Sequence, residues 1–380
     1  MTASKSEVAQ GGLEQTARVD WVASLTGIRA VAAILVVATH AAYTTGKYTH
    51  GYVGLVCSRL EIGVPIFFVL SGFLLFRPWV KATANGRPAP SVPRYAWHRV
   101  RRIMPAYVVT VLLAYLVYQY RTAGPNPGHT WTGLMRNLTL TQIYTNNYYL
   151  GGYLHQGLTQ MWSLAVEVAF YVVLPLLAYG LLVWLCRRQW GPVQLLVALA
   201  GLAAVSPVWL ILVHTTHWLP EGARLWLPTY LAWFVGGMML AVLQAIGVRC
   251  YGFVVVPLAV ISYFIVSTPI AGEATTSPTQ LSAALIKTGF YGAIGALAVA
   301  PMALGNQGWY AWLLATRPMV WLGEISYEIF LVHLVVMEVA MVEVVRNPVY
   351  TGSMLNLFVV TLAMTIPLSW LLHRFTRVRS

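Results

Sequence analysis

The stretch LTGIRAVAAILVVATHAAY, residues 25–43, constrains this chain more than any other. It has the length and apolarity of a membrane-spanning helix, yet it carries an arginine and a histidine. Arg29 and His40 are eleven positions apart, so at about 100° per residue they return to within about 20° of one direction and share a face. Along the axis they lie roughly 16 Å apart, about half the hydrocarbon thickness. An ionised arginine in a bilayer is costly unless it meets a partner or a water-filled cavity. That face therefore looks into a polar interior and not at lipid.

The rest of the chain agrees with a membrane setting. Only 9% of its residues are charged and 58% are hydrophobic, whereas a soluble domain carries roughly a quarter charged residues. We read it as an all-α polytopic membrane protein, a bundle of about ten transmembrane helices. The spans are expected near 25–45, 62–77, 103–120, 159–184, 193–214, 227–246, 253–270, 283–303, 318–345 and 354–373. Residues 1–24 lack the apolar core of a signal peptide and are expected to form a short, mobile cytoplasmic tail. A transmembrane domain over 25–373 and a second tail over 374–380 follow. With the N-terminus inside, inner segments hold 16 of the lysines and arginines and outer ones 7, which places both termini in the cytoplasm.

The net charge of +13 comes from loops. Its densest part, 77–102, suits anionic lipid headgroups, and no nucleic acid partner is expected. Cys57, Cys186 and Cys250 are widely spaced and indicate neither a disulfide framework nor a zinc site; no metal and no tightly bound cofactor are expected. The amphipathic segment 131–143 lies on the surface or re-enters. The outer loop 121–158, with TNNYYLGGYLHQG, suits a sugar or polar headgroup, although an ordinary exposed turn has the same composition.

Several residues carry chemistry. Ser71 and Gly72, in GVPIFFVLSGFLLF, read first as small residues for close helix packing, because no base or nucleophile elbow accompanies the serine. Arg99 and Arg102 are three apart and share a helix face, while Arg101 points elsewhere. Forked guanidinium groups at a membrane border suit phosphates, and plain positive-inside anchoring explains them as well. Glu167 is the only carboxylate of the fourth span. It lies about 12 Å from the outer edge, and His40 about 22 Å above the inner one, so both belong to the same half. Glu167 is expected to orient the imidazole for general-base work; the alternative is an ion pair with Arg29 that holds two helices together. The ninth span holds Glu324, Glu328, Glu338, Glu343 and His333. The first three of these glutamates are expected to meet the basic face of the first or third helix.

Five pieces in order, LTGIRAVAAILVVATH, VPIFFVLSGFLL, HRVRRIMPAY, WSLAVEVAFY and LGEISYEIFLVH, together make the chain resemble the acyltransferase 3 family of membrane proteins. The resemblance implies ten membrane helices and transfer of an acyl group, typically acetyl, from a coenzyme A thioester to a hydroxyl. In many relatives the acceptor is an envelope glycan or glycolipid. By position, His40 corresponds to the family's essential histidine, Arg29 to the arginine ahead of it, Arg99 and Arg102 to its paired arginines, and Glu167 to its acidic position. Ser71, Trp162, Ser163, Tyr327 and His333, within the matching pieces, are further candidates for substrate contact. Thr26 departs from the aspartate of many relatives but can still cap a helix. Glu328 is a second departure.

Residue reading and resemblance combine into one scheme. Acyl-CoA is held at the cytoplasmic border by Arg99 and Arg102, with its pantetheine arm between the helices. His40 deprotonates the acceptor hydroxyl, Glu167 orients it, and Arg29 fixes the polar face; a transient acyl-histidine is the alternative route. The setting is a bacterial cytoplasmic membrane, with acyl-CoA, a glycolipid or glycan acceptor and the lipid bilayer as partners. Acylation of a small cytoplasmic natural product is a second enzymatic reading. A proton-coupled transporter is the competitor from another class, since intramembrane His, Glu and Arg mark carriers too. It lacks sequence support from a broken-helix pair or an internal repeat, and thioester turnover separates the two. Small patches such as Gly236 and Gly237 serve packing within or between chains, so they leave the oligomeric state open.

Overall fold

The computed structural model describes residues 3–120, 126–145, 155–187, 189–216, 218–275, 278–305 and 308–377. Positions 1–2 and 378–380 of the expected tails, and 121–125 and 146–154 of the expected outer loop, lie outside these residues. Every regular element among the described residues is helical. In order they are α1 (Ala3–Thr44), α2 (Gly51–Arg59), α3 (Gly63–Ala84), α4 (Val92–Tyr120), α5 (Trp131–Leu138), α6 (Met161–Ala178), α7 (Pro192–Ala203), α8 (Val205–Thr215), α9 (Leu227–Ala245), α10 (Gly252–Val266), α11 (Leu281–Ala303), α12 (Trp309–Leu314), α13 (Arg317–Glu324), α14 (Ser326–Val339) and α15 (Met354–Thr376).

By length and composition, eight helical stretches among the described residues can cross a membrane, against the ten expected. Two expected spans account for the difference. The seventh shrinks to the 15 residues of α10. Ser267 and Thr268 turn their hydroxyls back onto Tyr263 O (2.7 Å) and Ile265 O (2.8 Å), and Pro269 follows, which cannot continue the ladder. The ninth breaks at Ile325, where Ser326 Oγ donates to Gly323 O at 2.8 Å; from Ser326 the helix runs on through a π segment to Val345, and its three glutamates, Glu328, Glu338 and Glu343, and not its length, set it apart from the eight.

The basic segment 77–102 also differs from the loop expected. α3 runs on to Ala84 and α4 begins at Val92, so Arg77, Lys81, Arg94, Arg99 and Arg102 stand on helices. Only 85–91 is left as the connection, where Gly86 takes a left-handed φ of 61° and Pro88 and Pro90 follow. Residues 3–24 continue α1 N-terminally, with no proline to stop them. Thr26 is therefore interior to a helix and not its cap: its hydroxyl donates to Val22 O at 3.0 Å.

The bundle is centred on α3 and α9, which touch backbone to backbone. A methyl group on Gly72 would fall within the Phe234 carbonyl, and one on Gly237 within the Val69 carbonyl. Around this contact Phe234 stacks on Phe68 (4.4 Å between centroids) and on Phe170 (4.1 Å). These glycines thus serve packing inside one chain. Apolar side chains such as Val172, Leu176 and Val193 are at least 70% exposed on the outer face, as lipid contact requires.

Charge is buried near the end of the bundle where α3 and α11 begin. Arg59 is fully buried and donates to the carbonyls of Val266 (3.2 Å), Ala271 (3.1 Å), Gly272 (2.6 Å) and Glu273 (3.0 Å). It clamps the connection between α10 and α11. Beside it Lys287 pairs with Glu61, and Tyr291 OH donates to the same carboxylate at 2.9 Å. Lys287→Met leaves the half-buried Glu61 without its ammonium. The expected cost is about 3 kcal/mol, at the low end for a broken buried pair because the Tyr291 hydrogen bond remains. A lower melting temperature in detergent, partly restored by adding Glu61→Gln, checks it.

Candidate active site

Four helices bring their polar residues to one cleft. α1 contributes Arg29, α3 contributes Ser71, α4 contributes Arg99 and Arg102, and α6 contributes Ser163, Glu167 and Tyr171. Tyr327 and Phe330 of α14 complete the wall, and about 840 Å³ between them is free of protein atoms, part of it open to the surroundings. The three-residue spacing places Arg99 and Arg102 on the cleft side of α4. Arg101 turns away, its guanidinium 5.9 Å from the centre of the Trp97 ring. Arg99 Nε is buried without a hydrogen-bond partner among the described residues. A buried guanidinium N–H of this kind is costly unless an anion meets it.

Glu167 is held from two sides. Ser71 Oγ donates to its Oε1, and Tyr171, one turn further along α6, donates to the same oxygen at 2.6 Å. Tyr95 OH ties this turn to α4 by donating to Tyr171 O at 3.1 Å. Tyr327 OH donates to Ile103 O at 3.0 Å and fixes α14 against α4. Ser71 thus fixes the glutamate that the sequence reading joined to His40.

His40 has a different partner. Its Nδ1 donates to Val36 O at 2.8 Å, the carbonyl one turn back on its own helix. The same nitrogen lies 3.2 Å from His333 Nε2, with the two rings 5.0 Å apart. His333 in turn directs its Nδ1–H to Phe330 O (2.8 Å) and Ile329 O (3.2 Å). Assigned from these partners, His333 Nε2 is an acceptor, His40 Nδ1 carries the proton shared between Val36 O and His333, and His40 Nε2 holds the free lone pair. The side chain at hydrogen-bond distance from His40 is thus His333, while Glu167 meets Ser71 and Tyr171.

The remaining candidates divide. Trp162 is outside the arginine cleft. It packs on Tyr230 at 5.1 Å in an adjoining cavity lined by Glu61 and Lys287, and Val64 borders both spaces. Glu328 is paired with α15: its Oε1 lies 2.9 Å from His373 Nδ1. Glu338 accepts from Tyr118 of α4. Cys57, Cys186 and Cys250 are free thiols. Tyr171 was missed by sequence reasoning, and its signal was the one-turn spacing from Glu167.

A multi-helix membrane protein with an arginine-lined cleft and a pair of facing histidines is the class that this fold and site define. The chain belongs to the acyltransferase 3 family: its residues 22–374 match that family's acyltransferase domain. It is 30% identical over 202 residues to the peptidoglycan O-acetyltransferase OatA of Listeria monocytogenes, covering 51% of this chain and 29% of that protein. It is 33% identical over 166 residues to acyltransferase MdmB of Streptomyces mycarofaciens, covering 42% of this chain and 40% of the relative. A third relative, 30% identical over 159 residues, is nose resistant to fluoxetine protein 6 of Caenorhabditis elegans, of which 19% is covered by 38% of this chain. The chain thus spans well under half the length of these relatives. No solved structure matches it.

Proposed function

We propose that this protein transfers an acyl group, most simply acetyl, from acyl-CoA to a hydroxyl of an envelope glycan or glycolipid. The carrying observation is the convergence of Arg29, Arg99 and Arg102 on one cleft, with His40 eleven residues along α1 from the first of them. The arginines take the phosphates of coenzyme A, and the pantetheine arm extends past Ser71 and Phe330 toward the histidines. Charge-assisted, forked contacts favour phosphate over a neutral ligand there. In this reading the arginine end and both termini face the cytoplasm, in accord with the distribution of lysine and arginine.

The chemistry follows from the tautomers. His40 Nε2 takes the proton of the acceptor hydroxyl as its oxygen attacks the thioester carbonyl carbon. His333 Nε2, accepting from His40 Nδ1–H, steadies the imidazolium that forms. The C–S bond breaks, and the leaving thiolate takes the proton back from His40 Nε2. Burial of both reactants in the bundle supplies proximity and keeps water from the thioester. Glu167, held by Ser71 and Tyr171, balances the arginine charge in the cleft. The relative named as a peptidoglycan O-acetyltransferase supports a glycan acceptor.

The test is coenzyme A release from acetyl-CoA by the purified protein, with and without an envelope lipid and glycan extract. Release that depends on the extract is the expected result. Arg102→Ala removes charge-assisted contacts each worth about 1.5–3 kcal/mol, so KM for acetyl-CoA should rise roughly tenfold to hundredfold. Unchanged KM in a folded Arg102 variant would remove the phosphate assignment, and no release with any extract would remove the reaction.

A further inference from the structure

The cavity that holds Trp162 is built from a different chemistry than the arginine cleft. Tyr230 and Trp233, three apart, share one face of α9, and Lys287 and Tyr291, four apart, share one face of α11. Trp162 of α6 extends their rings into a continuous run: Trp162 lies 5.1 Å from Tyr230, Tyr230 4.7 Å from Trp233, and Trp233 6.0 Å from Tyr291. Trp233 is fixed by its indole N–H, which donates to Thr288 O at 2.8 Å and ties α9 to α11. The rings and the Glu61–Lys287 pair border about 440 Å³ free of protein atoms, part of it open to the surroundings. That size is within the range of small-ligand sites.

One polar group in this space has capacity to spare. Lys287 and Tyr291 OH both engage Glu61 Oε1, so Oε2 remains for a hydroxyl donor. The Glu61 side chain is 19% exposed, whereas Tyr230, Trp233 and Tyr291 are buried. The carboxylate is thus the accessible polar edge of an aromatic wall, and the half-buried Trp162 is its accessible ring. Pairing with Lys287 neutralises the site, which gives a phosphate little attraction. A fatty acyl chain suits the rings, but it would strip water from the carboxylate oxygen and offer no hydrogen bond in return. A pyranose satisfies both features: its C–H face lies on flat rings, and its hydroxyls donate to a carboxylate.

We infer that this cavity is a pyranose subsite, with Trp162, backed by Tyr230, as the stacking platform and Glu61 Oε2 as the hydroxyl acceptor. It adjoins the cleft. Val64 borders both spaces, and Phe68, which lines the cleft, packs on Tyr230 (6.2 Å) and Trp233 (5.8 Å). Glu61, Val64 and Pro65 place the cavity at the start of α3, whereas the cleft follows α3 as far as Leu75. That the bound sugar is the acyl acceptor rests on the acyl-transfer reading above; the binding itself does not.

The experiment uses the full-length protein in lipid nanodiscs free of glycoside detergent, whose sugar headgroups would compete. Saturation-transfer NMR is recorded with chitotetraose, maltotetraose and mannotetraose as soluble probes. The expected result is saturable transfer to the ring protons of at least one of them. Trp162→Leu weakens that binding about tenfold, and Trp162→Phe, which keeps a ring, weakens it less. Glu61→Gln, which removes the charge from the acceptor, weakens it about tenfold as well. Trp162→Leu, outside the ion pair, decides if the Glu61 variant does not fold. Trp309→Leu, on an exposed tryptophan outside the cavity, leaves binding unchanged. Binding of no probe by the wild type overturns the inference. Equal binding by a folded Trp162→Leu protein overturns it too, and a gain of hexanoyl-CoA over acetyl-CoA in that variant would assign the cavity to the acyl chain of the donor. Sugar binding through Trp162 in a protein that releases no coenzyme A would support the subsite and remove the acyl-transfer reading; coenzyme A release without sugar binding would do the reverse.

Discussion

Replacing His40 by alanine is expected to lower acyl transfer by roughly a hundredfold to ten-thousandfold, the range that a positioned general base contributes. The argument rests on which atom is free. His40 Nδ1 is committed to Val36 O at 2.8 Å and to His333 Nε2 at 3.2 Å, which leaves Nε2 for the acceptor proton. His40→Gln keeps an N–H donor for Val36 O and serves as the folding control, with activity lost to the same degree. His333→Leu removes the acceptor that steadies the imidazolium. It should lower kcat while leaving KM for acetyl-CoA near its original value, the reverse of the pattern expected for Arg102→Ala. Steady-state coenzyme A release beside thermal unfolding of each variant makes the comparison. A folded His40→Ala protein with unchanged turnover would leave the histidine pair without a catalytic role.

Gly237→Val is expected to abolish the folded protein, with a loss of at least about 4–5 kcal/mol, the range reserved for the most disruptive substitutions. The added carbon would overlap the carbonyl of Val69 and crowd Phe73 N, which belong to the backbone of α3 and cannot rotate aside. α3 and α9 would have to separate, and the stack of Phe68, Phe234 and Phe170 would open with them. The neighbouring glycine is the control. A methyl on Gly236 meets only Ala296 Cβ at 3.9 Å and Val69 Cγ2 at 4.0 Å, an ordinary contact. Gly236→Ala should therefore be tolerated, and helix propensity favours it by roughly 0.5–1 kcal/mol. The yield of monodisperse protein in detergent and its melting temperature distinguish the two. Equal yields would show that the α3–α9 contact is looser than described.

The cleft was legible where periodicity alone sets direction. The offsets of eleven positions from Arg29 to His40, and of three from Arg99 to Arg102, fix shared helix faces whatever the neighbours are. The hydrogen-bond partners were not legible in the same way. Depth along a span placed Glu167 and His40 in one half of the membrane, but depth carries no azimuth. The rotation of α6 decides that Glu167 meets Ser71, and the rotation of α14 decides that His333 meets His40. The ninth span differs from expectation for a related reason. Hydropathy sums across Ile325, while the break there depends on the local backbone and on the Ser326 hydroxyl.

The sequence by itself determined the membrane setting, the faces of α1 and α4 that carry arginine, and the family, because these depend on residue type and on spacing within single helices. Only the tertiary structure decided the partners of His40 and Glu167 and the packing role of Gly237. Each of these joins residues from separate elements. A short chain segment encodes its own periodicity, but not the rotation and offset of the helices packed against it.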